Sequence, residues 1–142
     1  MKFNIISETD EYRLVSIAPF TAKGVDHEFL FEVYRDGRIF KSPLGKTPTG
    51  KRITRKQIGT GIAKNSKRHI FNMTYQNETL KLQKSLEVHR IVAAAWLLFP
   101  LQGVEGFQLH HIMPVSMGGT NCADNLTPVL TDIHNNLHLP RS

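Results

Sequence analysis

Alternating and clustered apolar residues predict a β-rich first half of the chain. Short strands are expected at 3–6, 13–17 and 29–34. Asp36-Gly37 is typical of a hairpin turn, after which Ile39-Phe40 resumes the strand. Residues 69–75 alternate polar and apolar side chains, and a second hairpin through Gln76-Asn77 is expected to return along 79–82. The pattern therefore predicts a β-rich lobe.

The apolar period changes to that of a helix between residues 86 and 99. Glu87 suits the first turn of this helix, and Pro100 stops the run. The apolar residues that share one helical face are Val88, Ile91, Val92, Ala95, Trp96 and Phe99. We expect this helix to connect the lobe to the last third of the chain, with 101–106 as the joint.

The last third predicts the order strand, loop, strand, helix. In the first strand, at 107–112, alternation turns one histidine of the pair His110-His111 to each face. The second strand is expected at 125–130, and Thr131 is a typical N-cap for a helix that runs to about residue 139.

Five residues of this last third have a spacing that suits metal binding and catalysis. Two histidines stand four residues apart on the predicted helix, so their side chains share a face and can bind one ion. A strand packed opposite that helix can bring His110 to the same ion as a third ligand. The five residues are His110, His111, Asn125, His134 and His138.

Length and composition limit the class of protein. The 142 residues suit one ordinary domain, or a small catalytic module preceded by a substrate-binding lobe. No apolar run approaches the roughly 18–20 residues of a membrane span, and the first twenty residues lack the order of a signal peptide, so a cytoplasmic protein is expected. The single cysteine, Cys122, excludes an internal disulfide and a four-cysteine zinc site. Nothing in the sequence indicates an obligate protein partner.

The positive charge is concentrated in the middle of the chain. Residues 37–90 carry thirteen basic and two acidic side chains, whereas the whole chain has a net charge of +6. A glycine- and proline-rich window at 46–68 has no acidic residue and is typical of a basic loop or arm. It is either a solvated surface or a surface that binds the phosphates of DNA. The candidate nucleic-acid-binding residues are Lys51, Arg52, Arg55, Lys56, Lys64, Lys67 and Arg68.

The last third resembles the HNH endonuclease family. The residues that carry the resemblance are the run from Leu109 to Pro114, which contains the histidine pair, then Gly118-Gly119, then Asp124-Asn125-Leu126, and then His134. Two upstream segments, 31–40 and 88–96, are similar to the N-terminal part of phage-type HNH homing endonucleases. The resemblance implies a homing or free-standing endonuclease that acts in a bacterial cytoplasm.

The fold expected from the pattern and the resemblance is α+β. It comprises a β-rich, basic, DNA-binding N-terminal lobe at 1–85 and a connecting helix at 86–100. A C-terminal ββα-metal (His-Me) finger at 101–142 would carry the nuclease motif.

The resemblance also implies the chemistry of the site. His111 is the expected general base, which as a neutral imidazole takes a proton from the water that attacks the phosphorus. His110 and His134, with His138, are expected to bind one divalent ion, and these nitrogen ligands favour zinc, nickel or manganese over magnesium. Asn125 is expected to hold the loop through its amide so that His111 points correctly. The products implied have 5′-phosphate and 3′-hydroxyl ends.

Two other functions fit the same residues. A non-catalytic DNA-binding protein could use the histidines as a structural metal site, although a closed site has no need of the additional histidine His111. An RNA-directed nuclease would use the basic loop with aromatic residues such as Phe71 and Tyr75 to bind single strands. Neither needs a membrane, for which no amphipathic helix is evident.

Overall fold

Antiparallel β-sheet makes up most of the protein. The computed structural model describes residues 2–22, 24–44, 53–62, 68–76 and 78–131. Five strands form the first sheet in sequential order, each antiparallel to its neighbour. They are β1 (Lys2–Glu8), β2 (Tyr12–Ala22), β3 (Val25–Tyr34), β4 (Ile39–Lys41) and β5 (Lys56–Ile58).

Two smaller sheets, one α-helix and two short 3₁₀ helices (Val115–Met117 and Ala123–Asn125) complete the described part of the chain. The second sheet has the order β6 (Gly61–Ile62), β7 (His69–Gln76), β8 (Lys81–Glu87). The helix α1 (Val88–Trp96) follows β8 directly. The last two strands, β9 (Phe107–His111) and β10 (Leu126–Leu130), pair as an antiparallel ribbon.

The core lies between the sheets and α1. The strands β2 and β3 each turn every second residue inward, and Val15, Ile17 and Val33 are fully buried. Ile91 and Val92 of α1 are equally inaccessible to solvent. The same apolar cluster includes Phe71 and Met73 of β7 and Leu126 of β10. The helix is therefore an element of the core.

The expected α+β fold with a ββα-metal finger is wrong, because the structure is mostly antiparallel β-sheet with a single helix among the described residues. The helix α1 packs against β2, β3, β7, β8 and β10 instead of linking two separate parts. The Trp96 indole nitrogen donates to the carbonyl oxygen of Val33 at 3.0 Å, which fixes the end of α1 to β3. The predicted finger helix after Thr131 lies outside the described residues, and the segment boundaries 1–85, 86–100 and 101–142 stay predictions.

The predicted strands are confirmed, with differences at their ends. The strand expected at 79–82 begins only at Lys81, and the turn residue Asn77 lies outside the described residues. The window expected to be a basic loop contains two short strands, β5 and β6. Both strands are too short to show an alternating pattern, and they form by pairing with β4 and β7.

The helix is shorter than the apolar period predicts. Leu86 and Glu87 belong to β8, where Leu86 pairs with Phe71. Phe99 lies beyond the helix but is buried in the core. Leu86 and Phe99, at the two ends of the apolar run, are thus core residues that lie outside the helix. In the described part of the chain, no helix has the length and apolar character needed to cross a membrane.

Candidate active site around His111

The ribbon of β9 and β10 positions the two adjacent histidines. His111 lies opposite Leu126 and His110 lies opposite Thr127. Successive side chains of a strand point to opposite faces, so the two imidazoles face different sides of the ribbon. Both residues are half-buried. The expectation that one histidine faces each side is confirmed.

A hydrogen bond to Asn121 orients the His111 ring. His111 Nε2 lies 2.8 Å from Asn121 Oδ1. An amide oxygen can only accept, so Nε2 carries the proton that is donated. In the neutral ring the lone pair is then on Nδ1. His111 is therefore held with one nitrogen able to accept a proton. Asn121 was missed because it stands in a loop with no periodic pattern.

The Asn125 side chain closes the loop that joins His111 to Asn121. Its Oδ1 accepts from the Met113 backbone nitrogen at 2.7 Å. Its Nδ2 donates to the carbonyl oxygens of Met113 at 3.1 Å and Thr120 at 2.8 Å. One amide thus joins the beginning and the end of the loop. This is the contact that the family resemblance implies for Asn125, while its catalytic role stays a prediction.

Two glycines allow the close packing that holds this loop. A Cβ atom on Gly119 would overlap the carbonyl oxygen of Met113. Gly37, at φ +98° in the turn between β3 and β4, would place a Cβ 2.8 Å from the backbone carbon of Asn121. Neither position therefore accepts a side chain without a shift of the backbone. The first sheet in this way supports the segment that carries Asn121.

An ion pair fastens the same segment from its other end. The Arg35 guanidinium donates to Asp124 Oδ1 at 2.7 Å, and the Ala123 backbone nitrogen donates to the Arg35 carbonyl oxygen at 2.8 Å. The ion pair is exposed and contributes little stability by itself. Together with the backbone bond it fixes where the first sheet meets the residues before Asn125.

His89 is a second histidine beside His111. It is buried in the first turn of α1, and its ring centroid lies 5.2 Å from that of His111. Its Nδ1 is 3.5 Å from Glu87 Oε2. Burial lowers the pKa of His89 to about 4, although the Glu87 charge acts in the opposite direction. The ring is therefore neutral near pH 7. The sequence gives no sign of this contact because His89 and His111 are 22 positions apart.

Glu87 is held as a carboxylate by basic neighbours. Burial raises its pKa, but the hydrogen bond from Arg68 and the charges of Arg68 and Arg90 outweigh that effect, so the pKa lies below its ordinary value. Arg68 Nη1 donates to Glu87 Oε2 at 3.0 Å, and Arg90 Nε is 3.8 Å from Oε1. Two guanidinium groups therefore share one carboxylate next to His89.

The predicted metal ligands are divided between described and undescribed parts of the chain. His110 lies in β9, whereas His134 and His138 lie outside the described residues. Within residues 2–131, apart from the undescribed gaps, no group of three or more His, Cys, Asp or Glu side chains could hold a metal ion. The structure therefore does not show the three predicted ligands together.

The predicted DNA-binding residues are also divided. Lys51, Arg52, Lys64 and Lys67 lie outside the described residues. Arg55 donates to Glu32 at 2.9 Å and lies over the Phe40 ring, and Lys56 is exposed beside it in β5. Arg68 lies beside Glu87, close to His89. Of the predicted DNA-binding residues that the structure describes, Arg68 is the one linked to the candidate site, because it shares Glu87 with His89.

Comparison with known proteins gives no match to this chain among protein-family models, curated proteins or solved structures. Support for a function comes from the residues and distances around His111.

Proposed function

We propose that the protein is a metal-dependent endonuclease of the HNH type that hydrolyses phosphodiester bonds in DNA. The observation that carries this proposal is the orientation of His111. Its Nε2 is hydrogen-bonded to Asn121 at 2.8 Å, and the loop between the two residues is closed by the Asn125 amide. A histidine fixed in one tautomer beside a loop of this kind suits a general base.

His111 performs the proton transfer in this proposal. With Nε2 donating to Asn121, Nδ1 takes a proton from a water molecule as the water oxygen bonds to phosphorus. The bond from phosphorus to the 3′ oxygen breaks, and the 3′ oxygen leaves with a proton from solvent. Asn121 keeps the ring in this tautomer and orientation. Asn125 acts on His111 indirectly, since it holds the loop that leads to Asn121. His89 packs beside the His111 ring as a neutral, buried group.

The donor set suits one divalent ion. Imidazole nitrogens from His110, His134 and His138 favour zinc, nickel or manganese, and magnesium prefers oxygen ligands. Bound there, the ion would neutralise negative charge that develops on the phosphate oxygens. His110 binds the ion and His111 transfers the proton in this proposal, because the two side chains face opposite sides of β9.

DNA is the proposed substrate because many basic residues precede the site in the sequence and two of them lie close to it. The net charge of +6 and the excess of lysine and arginine in residues 37–90 favour a polyanion. Arg68 and Arg90 lie beside His89. The phage-type homing or free-standing role in a bacterial cytoplasm stays a prediction.

Cleavage of supercoiled plasmid tests the proposal. The metal-stripped protein is supplied in turn with magnesium, manganese, nickel and zinc, and each reaction is repeated with His111→Ala. His27→Ala is the control, because His27 packs on Phe29 and Tyr75 in another part of the fold. Metal-dependent cutting should be lost in His111→Ala and kept in His27→Ala. Equal cutting by His111→Ala would refute the role of His111.

Parallel reactions with RNA and single-stranded DNA identify the substrate. Duplex DNA should be cut faster than RNA of the same sequence. Cleavage of RNA with no cleavage of DNA would instead favour an RNA-directed nuclease. Tight binding of metal and DNA without any cleavage would favour a structural metal site.

A further inference from the structure

A cavity of about 280 Å³ lies beside His89, on the flank of the candidate site. Arg68 and Arg90 contribute to its wall, together with the buried His89 and the amide of Gln108. Phe99 and other apolar residues line the rest. The cavity thus combines two guanidinium groups with an apolar wall.

The charged side chains in this lining are all positive among the described residues. Among the described residues that line it, two are cationic and none is acidic. Glu87, which pairs with both arginines, is not part of the lining. One carboxylate against two guanidinium groups leaves a net positive charge beside the cavity. An anion is therefore the ligand that this lining favours.

Two other cavities differ from this one in the charge of their linings. A cavity of about 300 Å³ next to Asn121 is lined by Asp36 together with Arg38. A third, of about 330 Å³ near Trp96, contains acidic residues together with arginines. In both, basic and acidic side chains face the same space. The cavity beside His89 differs from these two because the described part of its lining holds arginines alone as charged groups.

The helix adds to the same positive potential. The helix α1 begins at Val88, so His89 and Arg90 belong to its first turn. The first turn of a helix has unsatisfied N–H groups and a partial positive charge. The N-cap residue Glu87 makes no side-chain cap hydrogen bond, and the first turn contains no acidic residue. Phosphate oxygens suit this environment, since an arginine can donate two parallel hydrogen bonds to them.

One residue, His89, links the cavity to the candidate base. It lines the cavity, and its ring centroid lies 5.2 Å from that of His111. A phosphate bound here would belong to the same stretch of backbone as a phosphate attacked at His111.

We propose that Arg68 and Arg90 bind, in this cavity, the DNA backbone phosphate next to the one that is cleaved. This inference rests on the proposed endonuclease function, which supplies the substrate. It assigns to Arg90, a residue of the helix, a contact with the substrate. It also gives Glu87 a role, which is to hold both guanidinium groups at the wall of the cavity before DNA arrives.

The salt dependence of DNA binding tests this contact without any cleavage. Binding of a short fluorescent duplex is measured in EDTA at several salt concentrations for the wild type, Arg90→Gln and Arg90→Lys. Each neutralised phosphate contributes about 0.9 to the slope of log K against log salt. Arg90→Gln should therefore reduce the slope by about 0.9, and Arg90→Lys should restore it.

Arg13→Gln is the matched control. Arg13 lies over the Trp96 ring at the other end of α1 and pairs with Glu8. Its substitution should leave the slope unchanged. An unchanged slope in Arg90→Gln, or an equal loss in Arg13→Gln, would overturn the proposal. Thermal unfolding of each variant shows whether the fold is kept.

A titration of the wild-type protein covers the case in which a variant does not fold. Thymidine 3′,5′-bisphosphate should shift the Nε–H NMR signals of Arg68 and Arg90 while that of Arg13 stays in place. No shift, or an equal shift of Arg13, would overturn the proposal. Because both experiments measure binding, their outcome is separate from that of the cleavage assay. A protein that cuts DNA but keeps its salt slope in Arg90→Gln refutes only the phosphate site.

Discussion

The hydrogen bond between His111 and Asn121 gives a direct test of how the base is positioned. Asn121→Ala removes the acceptor that lies 2.8 Å from His111 Nε2. One net hydrogen bond contributes about 1 kcal/mol to stability, so the fold should survive the change. The ring, however, would lose both its tautomer and its orientation.

The Asn121→Ala substitution should therefore lower kcat. General-base catalysis contributes roughly 10²–10⁴-fold, and a misplacement of about 1 Å can cost about 10²-fold. We expect kcat of Asn121→Ala to fall by about 10²-fold, which corresponds to about 2.7 kcal/mol in the activation free energy. KM should change little, because Asn121 is not assigned to substrate binding. Asn121→Asp keeps an oxygen acceptor at the same place and should retain more activity than Asn121→Ala.

The assay is steady-state cleavage of plasmid at saturating metal, with substrate concentration varied to separate kcat from KM. Asn72→Ala is the control, because Asn72 is an exposed amide that accepts from Ser85 on the second sheet. Its kcat should equal that of the wild type. If kcat of Asn121→Ala stayed within about twofold of the wild type, Asn121 could not be the residue that orients His111.

Three further predictions concern stability. Asn125→Ala removes three hydrogen bonds and should lower the free energy of unfolding by about 3 kcal/mol in urea titrations. Gly119→Ala places a Cβ against the Met113 carbonyl and should cost about 3 kcal/mol in the same titrations, whereas Gly61→Ala, which meets open space, should be neutral or stabilising by up to about 1 kcal/mol. The pKa of His89 is lowered from 6.5 to about 4, so the unfolded chain takes up a proton before the folded one, and stability should fall by about 3 kcal/mol as the pH drops from 6.5 to 4. His89→Gln should flatten this dependence.

Each of these three has an outcome that contradicts it. Asn125→Ala with wild-type stability would mean that the loop is held by other contacts. Equal stability of Gly119→Ala and Gly61→Ala would show that the backbone beside Met113 has room. A His89→Gln variant with the same slope between pH 6.5 and 4 would show that another group takes up the proton.

Local patterns predicted most strands, because alternation of buried and exposed residues is a property of the strand itself. The short strands β5 and β6 could not be predicted in this way. Lys56 and Gln57 have no apolar pattern, and they are extended because β4 offers a pairing edge. The helix was predicted too long for a related reason. Leu86 and Phe99 are apolar because they pack in the core. They belong to the segments before and after the helix.

The candidate site was predictable only in part. The resemblance to the HNH family implied His111 and Asn125, through the doublet of histidines and the asparagine at the start of the next strand. Asn121 lies between them without a signal of its own. His89 reaches His111 only through the packing of α1 against the ribbon, a contact between distant parts of the chain that no local pattern contains.

The measurement that tests the proposed function most directly is the end chemistry of DNA cut by the protein. Supercoiled plasmid is incubated with metal-stripped protein and each divalent ion, and the nicked product is then treated with DNA ligase alone. We expect metal-dependent nicks that the ligase reseals, because hydrolysis that breaks the bond from phosphorus to the 3′ oxygen leaves a 5′-phosphate and a 3′-hydroxyl. We expect no nicks with His111→Ala. An absence of nicks with every ion, or nicks made equally by His111→Ala, would contradict the proposal.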